Sequence, residues 1–287
     1  MNASSGVLFG MIAMLSWGFS DFFAAKASRK AGVAKTVLWS QIISIIAFLA
    51  ISPLFFEFPK LSIYDFSLIL ACSLLGAIGI SSLYKGFEVG AISIISPIAS
   101  SSAVVTVILS LIFLGEKLSY FQGIGVSLAI IGAILASFKF HDIARLGFRK
   151  IASGVEYGVI AMFSFGVSFA LIGMLTQKFG WFIPVFFIKI FGLAFIFLFS
   201  FFMKKELSFP KDSYKFIIFI AVFETAAFLS IGAGISLENT SIVYSLASSF
   251  PAITIILARV FLKEKMEASN IIGAALVVFG IVLLSVG

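Results

Sequence analysis

Displaced by 148 residues, the chain overlies itself. Gly6, Val7, Gly10, Ile12, Ala13, Met14, Ser16, Gly18 and Ser20 recur as Gly154, Val155, Gly158, Ile160, Ala161, Met162, Ser164, Gly166 and Ser168. The same offset holds without a gap from residues 86–137 to 234–285, where more than a third of the positions are identical. Self-similarity at a fixed period marks a repeated structural unit. Each copy carries five apolar runs, so the expected division is residues 1–147 for a first five-helix repeat and 148–287 for a second. An odd number of membrane crossings turns the second copy upside down relative to the first, a construction shared by many secondary transporters.

That reading requires a bilayer, and the composition supplies the reason. Hydrophobic residues make up 61% of the chain and charged residues 11%, whereas about a quarter of a soluble domain is charged. The formal charge of +7 does not indicate nucleic acid as a partner, because the basic residues are scattered over short loops between apolar runs. The single cysteine, Cys72, lies in an apolar run, and the single histidine, His141, lies in a loop. Neither intramolecular disulfide chemistry nor a metal site or other cofactor is expected. The first apolar run lacks a basic leader and a small-residue cleavage site, so it is expected to stay in the protein.

Runs able to cross about 30 Å of hydrocarbon at about 1.5 Å per residue fall at 6–25, 36–56, 66–87, 91–114 and 120–138, then at 152–175, 181–202, 214–236, 241–262 and 268–286. The expected class is therefore an all-α integral membrane protein of ten transmembrane helices arranged as two inverted five-helix repeats. Only the connections Lys26 to Lys35, Lys139 to Lys150 and Lys204 to Lys215 exceed a tight turn. There is no GxxxxGK phosphate-binding loop, so any energy for transport must come from a gradient. The odd-numbered connections carry 14 Lys or Arg and the face bearing both termini carries 3. The positive-inside rule then predicts a multi-pass plasma-membrane protein with its termini outside. Homologous loops exchange their charge, as antiparallel insertion requires: loop one holds Lys26, Arg29, Lys30 and Lys35, and its copy holds only Lys178.

The first-span triplet Ser16-Trp17-Gly18 returns as Ser164-Phe165-Gly166. The stretch Phe113-Leu114-Gly115-Glu116-Lys117-Leu118, followed by Gly125 and Gly132, returns as Phe261-Leu262-Lys263-Glu264-Lys265-Met266, followed by Gly273 and Gly280. With these features the whole chain resembles the drug/metabolite transporter superfamily in its ten-helix EamA-type branch. The resemblance implies a basket in which spans one to four and six to nine surround a central cavity while spans five and ten pair at the periphery. It also implies movement of small organic metabolites. Members of that branch often have cytoplasmic termini; the charge count here gives the reverse and sets the expectation. Glycines seven apart in spans five and ten share one face and suit close helix packing. The Glu116 and Glu264 turns read as solvated hairpins.

An ionisable group near the membrane centre costs about 3 kcal/mol on insertion scales, so it faces a cavity or a partner. Lys85 and Arg259 lie close enough to the basic face to snorkel. Asp21 lies beside Ser20 and one turn beyond Trp17, as on a polar cavity wall. Lys189 and Glu224 are the deepest charges, about 12 and 18 Å from the face bearing the termini by residue count. Consecutive antiparallel spans carry them, and two readings stay open: a structural salt bridge, or a substrate or proton-coupling site. On the second, Glu224→Gln abolishes pH-gradient-driven transport in a protein that still inserts and folds. Spans four and nine hold serines that include Ser96, Ser100 and Ser248 together with the helix-bending Pro97 and Pro251. These are candidate cavity walls, though helix packing alone accounts for most such serines. Ser164, Ser168, Tyr244, Trp39, Gln41 and Tyr84 complete the candidate contacts.

The function this supports is a secondary active transporter of small organic metabolites by alternating access, importing or exporting. Its expected partners are a small-molecule substrate, possible coupling protons or a second solute, and the lipid bilayer. A monomer suffices, since the duplication supplies both halves. A channel or lipid-handling protein is the alternative; an integral-membrane enzyme would need a clustered catalytic set that this chain lacks.

Overall fold

The computed structural model describes residues 4–55, 57, 59–90, 92–137, 154–262 and 268–286. The fifth connection with His141, the Glu264 turn and the expected boundary between residues 147 and 148 lie outside them. The described residues form helices and no strand: α1 Ser4–Ala31, α2 Val33–Phe55, α3 Ile63–Val89, α4 Ile92–Ser100, α5 Ser102–Phe113, α6 Tyr120–Ser137, α7 Val155–Phe179, α8 Phe182–Phe202, α9 Tyr214–Ile235, α10 Thr240–Ala247, α11 Phe250–Leu262 and α12 Ala268–Val286. Seven helical stretches among them are long and apolar enough to cross a bilayer, the pair α4–α5 counting as one. The helices α6 and α12 contribute shorter apolar stretches, Tyr120–Leu135 and Ile271–Leu284.

Local chemistry explains the ends. The residue Gly32 adopts φ of 84°, a left-handed conformation open to glycine at little cost. That single residue turns α1 into α2, so the long first loop expected from Lys26 to Lys35 is instead helix through Ala31. Its basic residues, Arg29 and Lys30, fall in the last turn, where a helix C-terminus favours cations. At the opposite end Ser62 caps α3 in a capping box with Asp65. Asp65 also accepts bonds of 2.6 and 2.8 Å from Lys178 Nζ, which ties α3 to the end of α7. The reciprocal tie at the basic end joins Lys30 Nζ to the Asp212 carbonyl at 2.9 Å, and Lys30 is the repeat equivalent of Lys178.

Each half inserts small residues of its first helix against the broken helix of the other. A Cβ at Gly10 would meet Leu246 and Val243 O, and one at Gly158 would meet Ile98 and Ile95 O. A Cβ at Gly18 would strike Ile253, and one at Gly166 would strike Val105. The partner of each glycine lies 148 residues from the partner of its equivalent. Thr106 Oγ1 donates to Gly166 O at 3.0 Å and Thr254 Oγ1 to Gly18 O at 3.2 Å. The seam between α6 and α12 repeats the pattern, Gly125 against Gly280 and Gly132 against Gly273. Early residues of one helix meet late residues of the other, so these equivalent helices run antiparallel.

The fourth and ninth spans are each interrupted at equivalent positions, Ser101 and Ser249. Proline enters differently in the two. Pro97 lies inside α4, where Ser100 Oγ and Ser101 Oγ both donate to its carbonyl. Pro251 is the second residue of α11, where a missing N–H removes no helix bond. The hydroxyls of Ser245, Ser248 and Ser249 likewise bond back to Ser241 O and Ser245 O. The polar character of these spans thus mends broken helix ends. Glu116 does similar work across the repeats: its carboxylate accepts the N–H groups of Thr240 at 2.7 Å and Ser241 at 3.0 Å. It sits at the positive end of α10 and is not a merely solvated hairpin charge.

Candidate functional site

Near the middle of the bundle, α1, α2, α3, α7, α8, α9 and the broken ninth span enclose a cavity of about 80 Å³. Of the expected contacts it gathers Trp17, Ser20, Asp21, Gln41, Tyr84, Ser168, Lys189, Glu224 and Tyr244. Its wall also includes residues that the sequence reasoning did not name as contacts, among them Ser73, Gly76 and the rings of Phe165, Phe169, Phe228 and Phe250.

Lys189 on α8 and Glu224 on α9 are paired at 2.7 Å with side chains 4% and 5% exposed. Consecutive antiparallel helices bring them level, as the depth count required. A third member comes from α2. Gln41 Nε2 donates to both Glu224 oxygens at 2.7 Å, and Gln41 Oε1 accepts from Lys189 Nζ at 3.1 Å. The ammonium also lies 3.9 Å from the centre of the Phe228 ring. Gln41 and Lys189 are exactly one repeat length apart in sequence, so the polar centre is made by equivalent positions of the two halves. Beside it Ser44 and Thr225 hydroxyls meet at 2.8 Å.

A second group surrounds the first span. Trp17 stands edge-on to Phe169 at 5.4 Å, Phe228 at 5.8 Å, Tyr244 at 6.2 Å and Phe250 at 6.2 Å. Phe169 and Tyr244 stack at 4.1 Å, and the Tyr244 hydroxyl is 2.9 Å from Ser102 Oγ. One turn beyond Trp17, Asp21 is 4% exposed, and its Oδ2 has no hydrogen-bond partner. Ser168 is engaged with Cys72, whose Sγ lies 3.1 Å from its hydroxyl.

Five expected contacts lie elsewhere. Trp39 donates from Nε1 to Leu207 O at 3.0 Å and anchors α2 to the seventh connection. Ser96, Ser100, Ser164 and Ser248 are buried but do not line the cavity. Ser100 and Ser248 spend their hydroxyls on Pro97 O and Ser245 O. Among the described residues no three His, Cys, Asp or Glu come together as a metal would require.

Toward the basic end a vestibule of about 560 Å³ opens between α2, α3 and α8. Ile196 lines both spaces. The vestibule wall includes Val33, Ala34, Lys35 and Val37 of α2 and Phe199, Ser200 and Met203 near the end of α8. At its mouth Lys35 pairs with Glu206 at 2.8 Å. The ammonium and the Ser208 hydroxyl hold the Glu206 carboxyl below the ordinary glutamate range. The Lys35–Glu206 ion pair should therefore persist down to a pH at which a free glutamate has begun to protonate, and be lost below that. At the opposite end the residues one repeat away, Phe48, Ile51, Trp181, Phe182 and Val185, are packed into an apolar plug with Phe186 and Phe228. Phe55, the equivalent of Met203, closes over it at 5.0 Å from Trp181.

Comparison with known proteins agrees with this construction. A solved crystal structure superposes with a TM-score of 0.71 at 17% identity, over 99% of this chain and 97% of that one, which speaks to fold alone. An uncharacterized transporter of Archaeoglobus fulgidus is 23% identical over 282 residues, 97% of each chain. An uncharacterized protein of Methanocaldococcus jannaschii is 27% identical over 138 residues, 98% of that protein but 47% of this one, so that relative is about one repeat long. The model of the EamA-like transporter family matches twice, at residues 4–138 and 152–286. Two copies of one family unit, joined by mirrored contacts around a shared polar centre in a multi-pass helical membrane protein, place this chain in the EamA-like transporter family.

Proposed function

We propose that the protein is a gradient-driven secondary carrier that moves a small organic solute by alternating access, with residues 1–147 and 148–287 acting as its two inverted units. The observation that carries this reading is the asymmetry between equivalent positions. Residue Ala34 borders the open vestibule, while Phe182, its counterpart 148 residues away, lies buried in the plug. Two halves of one fold can exchange such roles, so a second state is implied in which the vestibule walls pack and the plug parts. The central cavity of about 80 Å³ is smaller than the roughly 300 Å³ at which drug-sized pockets begin. An organic solute of that size therefore requires the walls to move, as a carrier's do. The basic end faces the cytoplasm on the charge count, leaving the vestibule open inward and the termini outside.

Accessibility of paired cysteines tests the exchange. In a Cys72→Ala background, Ala34→Cys should react quickly with a water-soluble maleimide and Phe182→Cys slowly. Imposing a pH gradient or a transported solute across proteoliposomes should change the two rates in opposite directions. Equal rates at both positions under every condition, or changes of the same sign, would remove alternating access. Saturable counterflow from vesicles loaded with a metabolite mixture separates this carrier from a channel.

A further inference from the structure

We infer that the central cavity selects a compact monovalent organic cation, an amine whose charged end lies at Asp21 and whose apolar body lies among Trp17, Phe169, Phe228 and Tyr244. This rests on reading the cavity as the solute's site and adds the chemistry of the solute.

The argument is one of unfilled valences. The charged and titratable side chains lining the cavity are Asp21 from α1, Tyr84 from α3, Lys189 from α8, Glu224 from α9 and Tyr244 from α10; the helix α2 adds the uncharged Gln41. Lys189 is committed to Glu224, to Gln41 and to the face of Phe228. Both oxygens of Glu224 are committed in return. That trio is closed and neutral. Asp21 remains, 4% exposed and with Oδ2 unpartnered. Among the described residues the cavity therefore holds two carboxylates against one ammonium.

A carboxylate so placed must carry a proton or meet a cation, because burying it alone is costly. An anionic solute would face Asp21 with no cation free to receive it. A zwitterion would have to draw Lys189 away from Glu224 to satisfy its own carboxylate. A neutral solute would leave Asp21 as it stands. An amine compensates Asp21 and disturbs nothing else. The rings complete the site: Trp17 precedes Asp21 by one turn on the same helix, and the three rings edge-on to it at 5.4 to 6.2 Å give the apolar body of the amine an aromatic wall.

The test is calorimetric binding to the purified full-length protein in detergent, with benzylammonium, benzyl alcohol and benzoate as probes of one shape and three charges. Benzylammonium should bind about tenfold or more tighter than either of the others. Asp21→Asn should erase that preference, while Asp21→Glu should keep it. The proposal falls if benzoate or benzyl alcohol matches the amine, if no probe binds up to its solubility, or if Asp21→Asn retains the preference. Should Asp21→Asn fail to fold, the wild-type comparison of the three probes still decides. Amine binding without saturable counterflow would overturn the carrier reading and spare this one. Counterflow confined to anions would do the reverse.

Discussion

Lys189→Met is expected to destabilise the folded protein by about 3–5 kcal/mol, the usual cost of removing one partner of a buried ion pair. The substitution keeps the volume of the side chain and its contact with Phe228 but strands Glu224, whose side chain is 5% exposed, with only Gln41 as a donor. The double variant Lys189→Met/Glu224→Gln should recover most of that loss. No charge then remains to be compensated, and Gln41 can still bond the new amide. The checking measurement is a thermal or denaturant series on wild type, both single variants and the double in one detergent. Additive losses would mean that the two side chains do not act as a pair. Glu224→Gln alone should also lose stability, because it leaves the Lys189 ammonium among neutral acceptors. That loss is compatible with the expectation from sequence that the variant still inserts and folds. A transport defect in it has to be compared with the double variant before Glu224 is given a coupling role.

How this pair was legible, and its neighbours were not, follows from what each signal depends on. Span limits depend on hydropathy and length, and the helices begin and end within a few residues of the sequence limits except at Ala31. There, a basic last turn looks like a loop until Gly32 is seen to make the whole connection. The pairing of Lys189 with Glu224 follows from counting rise along two antiparallel helices. Gln41 carried a signal that went unused: it occupies the position of Lys189 in the other repeat, so a polar centre near the symmetry axis had to include it. The same offset relates Trp17 to Phe165 and Asp21 to Phe169, all four on the cavity wall. Serines were the opaque class. Ser20 and Ser100 both lie in apolar spans, yet one lines the cavity and the other bonds back to Pro97 O. A hydroxyl in a membrane helix can always reach its own backbone, and spacing does not tell which use is made. Bending of spans four and nine was expected from Pro97 and Pro251, but the equivalence of the breaks at Ser101 and Ser249 was hidden, since the two prolines are not at equivalent positions.

The seam between α6 and α12 should be the least forgiving surface in the protein, and alanine substitution in α6 should show it with opposite signs. A Cβ at Gly132 would lie 2.7 Å from Val277 N and 2.8 Å from Gly273 O. Both atoms belong to the backbone of α12 and cannot rotate away. Helix association within lipid relies on close packing of just this kind, with no hydrophobic gain to replace it. Gly132→Ala must therefore push the two helices apart along a seam that also holds Gly125 against Gly280. The expected loss exceeds the roughly 1–3 kcal/mol of ordinary overpacking. Gly123, about two and a half turns earlier on the same helix, has nothing within 4 Å of its would-be Cβ. There the same substitution meets no wall and gains up to about 1 kcal/mol of helix propensity. Thermal stability of the two variants in one detergent separates the effects. A Gly132→Ala protein as stable as Gly123→Ala would mean that the repeats are not joined along this glycine seam, and the antiparallel pairing of their fifth helices would have to be abandoned.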